Sequence, residues 1–492
     1  MSTFLWHDYE TFGLSPSMDR PAQFAAMRTD EELNICEKPM CFYCQPAADA
    51  LPSAQSIAIT GILPQTCLKQ GLKESEFAHR IHDAMSVPET ISVGYNNMRF
   101  DDEVTRFMFW RNFIDPYERE YKDGCSRFDL FPLVVATWAL RPEGIVWPTV
   151  QTEDGQERVS FRLEHLSVAN GLKHEHAHDA LSDVEATIEV ARLIRSKQPR
   201  LWDYALKLRS KDYVKNLVQS VKPLVWISPA HGHDRGYVRL VLCLGQHPAR
   251  ANSVLFWDLA YDPKEMLTLT AEEVKTRLFA REEDLPEGMT RLPIFTCRIN
   301  QAPFLVAHMG VLSEERAQAF GINRQEALER AQAILPHIEA LTSLWLEALG
   351  DGGDSPKTGA DTDVDAALYS GFPSFTDKQK VKRVSITDPQ ALAQAVFDGR
   401  VHFDDVRLNE MLFRYRARNW PETLNESERE QWHALREARL VNGEGGARTL
   451  EQFAEEIALL EEQKAESMTE ADEELFGALY DWAEVMSDSL ES

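Results

Sequence analysis

Residues 4–13, "FLWHDYETFG", read as an apolar strand that nevertheless carries two acids, Asp8 and Glu10, one residue apart. Burying an unpaired charge is costly, so a chain that begins this way has few ways to fold. Side chains two apart on a strand point to the same side. Asp8 and Glu10 therefore project together, while Trp6 and His7 belong to alternate faces. Either both acids reach solvent, the ordinary fate of an isolated D-x-E, or something positive sits between them. A divalent cation meets that need, and hard ions such as magnesium prefer oxygen ligands.

Two later segments supply carboxylates that can join the pair. "VGYNNMRFDDEVTR" places Asp101 where a short apolar strand meets a helix, the kind of edge where sites collect. "AHDALSDVEAT" places Asp183 on a helix, with His178 five residues before it. In this order on a mixed sheet, they suggest four carboxylates around two metal ions with one titratable base beside them.

The first 200 residues alternate strand-like and helix-like patterns. "FLWHDYETFG", "FAAMRTD", "MCFYCQP" and "TISVGYN" read as strands; "ESEFAHRIHDAMS", "DDEVTRFMFWRNF", "LEHLSVANGL" and "DALSDVEATIEVARLIRS" read as helices by their spacing of three and four. Asp179 is a plausible N-cap for the last of these. Strands first and helices interleaved afterwards predict an α/β fold, a mixed sheet with helices packed on it. The pattern breaks at "QPRLWDY", and five short strands follow, from "PLVWIS" to "PFLVAHM", as in a small barrel or sandwich. Residues 350–363, rich in Gly, Asp, Ser and Pro, read as a linker. The remainder reads as helical, with helix starts at Thr449–Gln452 and Thr469–Asp472.

At 492 residues the chain has room for about three domains. No run of about 18 uncharged apolar residues argues for a membrane span, and no signal peptide is visible at the N-terminus. Seven thinly spread cysteines suggest reduced thiols and a cytoplasmic setting. Cys41 and Cys44 form a lone C-x-x-C that reads as strand core rather than a zinc site.

The formal net charge of −27 disfavours a nucleic-acid partner at first sight. The last 42 residues, however, hold 14 acids and one base, nearly half of that excess. Residues 192–222 instead carry nine basic side chains against Asp203 and Asp212. Such a strip is either a solvated helix face or a surface for an anionic strand. Between residues 105 and 128, bases and aromatics interleave: Arg106, Tyr117, Tyr121, Arg127 and Phe128 are candidates to hold an unpaired strand, whose bases stack on such rings. Phe107, Phe109 and Trp110 read as core. "LFRYRARNW", residues 412–420, is a second basic-aromatic cluster that either braces the C-terminal region or lines the same groove.

D-x-E at residues 8–10, N-x-x-F-D at 97–101 and H-x-x-x-x-D at 178–183 together resemble the DEDD exonuclease pattern of the histidine subclass, DEDDh. The strings "HDYETFG", "DRPAQFAA", "ALRPEGI.WP", "FRLEHL", "PRLWDY" and "YRARNWP" extend the likeness along most of the chain, to the bacterial exodeoxyribonuclease I family. The resemblance implies an RNase H-like exonuclease domain over 1–197, an SH3-like β-rich domain over 198–351 and an α-helical C-terminal domain over 352–492. It implies degradation of single-stranded DNA from the 3′ end to 5′-mononucleotides, in DNA repair and recombination. Carried over, the metal ligands are Asp8, Glu10, Asp101 and Asp183, with Glu10 also touching substrate, and His178 is the general base. Asp101 is chosen over Asp102 because it follows Phe100 of the motif. The cofactor is two Mg2+ ions, with Mn2+ able to substitute. Arg162 would hold the terminal phosphate, and Lys211 backbone phosphates. Where the family usually has an arginine, this chain has Val135. Family members also dock the acidic, Phe-ended tail of the single-stranded DNA-binding protein, for which Arg141 and Tyr204 sit at matching positions. The implied protein is a monomer without membrane association.

Two other readings stand beside this one. The same ligands serve DEDDh exoribonucleases and proofreading nucleases, which the long middle and C-terminal segments argue against. A non-catalytic adaptor working through its acidic tail would not need all five catalytic residue types.

Overall fold

The computed structural model describes residues 2–491 apart from 153–154, 173–178 and 351–361. The described residues fall into two compact units, one within Met1–Arg127, His174–Glu185 and Thr358–Ser492, the other within Phe128–Lys173 and Ala186–Lys357.

In the first unit, strand β1 (Thr3–Thr11) pairs antiparallel with β2 (Pro21–Thr29), which pairs antiparallel with β3 (Met40–Tyr43). On its other side β1 pairs parallel with β4 (Thr90–Gly94), and β5 (Ser126–Asp129) completes the mixed order β3-β2-β1-β4-β5. Alternation sorts β1 onto two faces. Leu5 and Tyr9, with Phe24 and Ala26 of β2, pack against the helices Glu74–Met85 and Asp101–Arg111 through Phe77, Ile81, Met85, Val104, Met108 and Phe109. That helix cover accounts for the odd positions, and it leaves Asp8 and Glu10 on the opposite face.

The C-terminal helices belong to this unit and bury two apolar surfaces. Phe453, Ile457, Phe476, Leu479, Trp482 and Met486 pack with Phe12, Leu51 and Ile57. Leu408, Met411, Leu412 and Tyr415 pack with Phe107, Trp110 and Phe113. Between these surfaces the "LFRYRARNW" cluster is a brace. Arg418 pairs with Asp49 at 2.7 Å and Asp365 at 2.6 Å, Arg20 with Asp365 at 2.7 Å, Arg414 and Arg439 with Asp363 at 2.9 and 2.7 Å, and Arg416 with Glu428 at 2.5 Å. Both expected helix starts carry reciprocal caps: Thr449 with Gln452, and Thr469 with Asp472.

In the second unit, a hairpin of β6 (Thr149–Gln151) and β7 (Glu157–Val159) precedes a five-stranded antiparallel sheet. Its strands are β8 (Leu224–Ile227), β9 (Val238–Gln246), β10 (Ser253–Asp258), β11 (Ile294–Arg298) and β12 (Phe304–Val306), in the order β11-β10-β9-β8-β12. These are the five strands expected from the sequence. "QPRLWDY" is a correction: Pro199 occupies the first turn of a helix, Pro199–Lys207, where its missing N–H costs nothing. Most of the expected linker lies outside the described residues. Among those described, no helix is long and apolar enough to cross a membrane.

Candidate active site

β4 ends its pairing with β1 at Trp6, so residues 7–11 run on beyond it. The chain leaves β4 through a short turn and enters the Asp101–Arg111 helix. There the Asp101 carboxylate accepts the Tyr9 N–H at 3.2 Å, taking the place of the strand partner that β4 no longer provides. The Thr105 hydroxyl donates to the Asp101 carbonyl at 2.8 Å and lies 2.9 Å from the Tyr9 hydroxyl, pinning this first turn to β1.

The helix Ala180–Lys197 brings Asp183 to the same place. One carboxylate oxygen from each of Asp8, Glu10 and Asp183 lies within 4.8 Å of the other two. Asp101 stands close enough to be the strongest charge acting on Asp8. Burial, then Asp101, Glu10 and Asp183, push the Asp8 carboxyl well above its ordinary range. Burial, then Asp183, Asp101 and Asp179, lift Glu10 from 4.5 to about 8. Acids held in this way repel one another and favour either protons or a cation between them. The donor set is all oxygen, which suits a hard divalent ion. His178 lies outside the described residues.

Asp102 has a different task from its neighbour. It is fully buried, 2.6 Å from Arg119 and 2.8 Å from Arg127. Burial alone would raise its carboxyl, yet the two guanidiniums hold it below the usual range.

The other candidates separate by exposure. Arg106 is turned inward, pairing with Glu120 at 2.7 Å and Glu103 at 2.6 Å beneath the Tyr117 ring. Arg127 is held by Asp102 and Glu120, and Phe128 is buried edge-on against Trp202. These three have their binding surface committed within the protein. Tyr121 is 68 % exposed and Tyr117 half-buried, and both line a cavity of about 420 Å³. Phe372, Phe375, Lys378 and Lys382 line it too, with the Lys378 ammonium 5.6 Å from the Phe372 ring centre. Sequence reasoning missed these four, although the "YSGFPSF" run beside the expected linker carries three aromatics, Phe372 and Phe375 among them, that no helical or strand period requires.

In the second unit, Arg162 is exposed at the start of the Leu163–Ala169 helix, and Lys211 is exposed in the first turn of Lys211–Gln219. Six of the nine basic residues of the 192–222 strip are exposed. Val135 is fully buried. Arg141 donates to the Val311 carbonyl at 2.8 Å, and the Tyr204 hydroxyl to the Leu305 carbonyl at 2.6 Å. The C-x-x-C expectation is half corrected: Cys44 is buried, but Cys41 is exposed on β3.

Three family models match the chain in succession: Exonuclease over residues 5–191, Exonuclease I SH3-like domain over 209–349 and Exonuclease I C-terminal domain over 362–486. Exodeoxyribonuclease I of Escherichia coli (strain K12) is 42 % identical over 488 residues, 98 % of each chain. That of Haemophilus influenzae is 39 % identical over 441 residues, 89 % of this chain and 90 % of its own. The crystal structure of E. coli Exonuclease I with a dA16 oligonucleotide superposes with a TM-score of 0.89 at 41 % identity, covering 99 % of this chain and all of that one. With all three segments matched in order and the likeness running the length of the polypeptide, this protein belongs to the exodeoxyribonuclease I family.

Proposed function

We propose that the chain degrades single-stranded DNA from the 3′ end and releases 5′-mononucleotides by two-metal-ion hydrolysis, in DNA repair and recombination. The observation that carries this reading is the convergence of Asp8, Glu10 and Asp183 within 4.8 Å. Asp8 and Glu10, raised by burial and by the charges of Asp101 and Asp183, fit a pair of divalent cations, Mg2+ with Mn2+ as substitute, held by Asp8, Glu10, Asp101 and Asp183. When bound, such ions supply an acidified water and neutralise charge on the departing 3′ oxygen. The chain's own groups do the rest. His178, with an ordinary pKa near 6.5, takes the proton of the attacking water close to neutrality. Glu10 faces the terminal nucleotide, and Arg162 holds its phosphate as a bidentate donor. Tyr117 and Tyr121 stack on bases further along, assisted by Phe372 and Phe375 in their cavity, and Lys211 meets the backbone. Arg106, Arg127 and Phe128 serve the strand by fixing the segment that carries these tyrosines.

In the same reading the domains run 1–197, 198–351 and 352–492. Arg141 and Tyr204 receive the acidic tail of the single-stranded DNA-binding protein, and the enzyme works as a cytoplasmic monomer. Digestion of one single-stranded DNA oligonucleotide labelled at either end, in Mg2+ with an EDTA control, tests the proposal beside matched RNA and duplex. Shortening from the 3′ end of the DNA alone, lost in EDTA and in His178→Ala, is expected. Preferential loss of the RNA would turn the reading to an exoribonuclease, and no mononucleotide release to an adaptor.

A further inference from the structure

Across the ladder from the acids lies a side chain with unused hydrogen-bonding capacity. Gln23 on β2 is directly opposite Glu10, and such partners share a face with Cβ atoms about 4.5–5.5 Å apart. Gln23 is 4 % exposed. Its Nε2 donates to Cys41 Sγ at 3.3 Å, and sulfur is a weak acceptor. Its Oε1 is buried with no hydrogen-bond partner. The contact with Cys41 runs diagonally, because Cys41 pairs with Ala25, which in turn pairs with Asp8. Ala25 thus separates Cys41 from Asp8 on this face, and the glutamine that contacts the thiol is the residue opposite Glu10. Burial, then Asp179, raises the Cys41 thiol above its ordinary pKa and keeps it a protonated S–H donor at neutrality. Among the described residues, no donor is hydrogen-bonded to the Glu10 carboxylate.

A half-turn of the amide about its Cγ–Cδ bond meets every one of these needs. Oε1 then accepts from the Cys41 S–H, and Nε2 takes the place of the unpartnered oxygen as a donor. We propose that Gln23 is a positioning residue for Glu10, its amide hydrogen-bonding the Glu10 oxygen that faces away from a bound divalent cation. Carboxylate ligands are commonly oriented by such outer partners, whose loss weakens metal binding about 10–100-fold. The inference rests on the reading of the carboxylates as metal ligands.

The test uses the full-length protein and Mn2+ as probe, with free Mn2+ followed by electron paramagnetic resonance. Gln23→Met keeps the length and shape of the side chain and removes the amide. It is expected to weaken Mn2+ binding about tenfold and to raise the Mn2+ concentration for half-maximal turnover equally. Its thermal midpoint should move little, because methionine fills the same space in the sheet. Asp8→Asn is the control and should lose Mn2+ binding. Wild-type Mn2+ affinity in Gln23→Met, with binding lost in Asp8→Asn, overturns the role of Gln23 alone. Wild-type affinity in both overturns the metal reading as well.

Discussion

Glu10→Gln in metal-free protein exposes the electrostatic logic of the site. The Glu10 carboxyl is raised from 4.5 to about 8 in the folded chain, with burial the largest cause and Asp183 next. Below pH 4.5 the carboxyl is protonated whether folded or not, and contributes no penalty. As pH rises toward 8 the unfolded chain ionises freely while the folded one resists, so folding stability falls through that window. At about 1.36 kcal/mol per pKa unit the full penalty is on the order of 4–5 kcal/mol. Neutralising one acid also relieves Asp8 and Asp183, and a glutamine leaves some polar area unpaired. A net gain of about 2–3 kcal/mol at pH 8 is therefore expected, shrinking to near zero at pH 4.5. Urea unfolding in EDTA at the two pH values measures it, and Mg2+ at pH 8 should stabilise the wild type while leaving the variant largely unmoved. A variant no more stable than wild type at pH 8 in EDTA would refute the idea that these acids are held in mutual repulsion.

Arg418→Met should destabilise the protein by about 3–5 kcal/mol in urea unfolding, because Asp49 and Asp365 lose a buried partner. Tyr121→Ala, at an exposed ring, should weaken single-stranded DNA binding measured in EDTA by about 1–3 kcal/mol without moving the thermal midpoint. The adjacent acids should part company. Asp101→Asn should abolish turnover with little loss of stability, whereas Asp102→Asn should lower stability by about 3 kcal/mol, since Arg119 and Arg127 stay buried around it. Unfolding and turnover measured on both variants decide between those assignments.

What the amino-acid order determined by itself was everything that rests on near neighbours. The D-x-E alternation places Asp8 and Glu10 on one face, and β1 keeps them there because its odd residues, Leu5 and Tyr9, are covered by helices. The five strands of the second unit and the Thr449 and Thr469 caps were legible for the same reason, since periodicity and capping act over a few residues. The strand β5, Ser-Arg-Phe-Asp, has one apolar residue and so lacks the apolar run that marked the other short strands. His178 was singled out by its place five residues before Asp183, and its role as general base came from likeness to a family.

Only the tertiary structure decided what each charge does. Arg106 and Arg127 read as strand binders in a basic-aromatic stretch, yet their partners Glu120 and Asp102 draw them inward. Arg418 finds Asp49 across 369 positions of sequence. Asp101 and Asp102 are indistinguishable as letters, and one helical step sends the first toward Tyr9 and the second into a pair of arginines. An ion pair is defined by distances that no local pattern encodes, so the sequence names the charges and the fold assigns their partners.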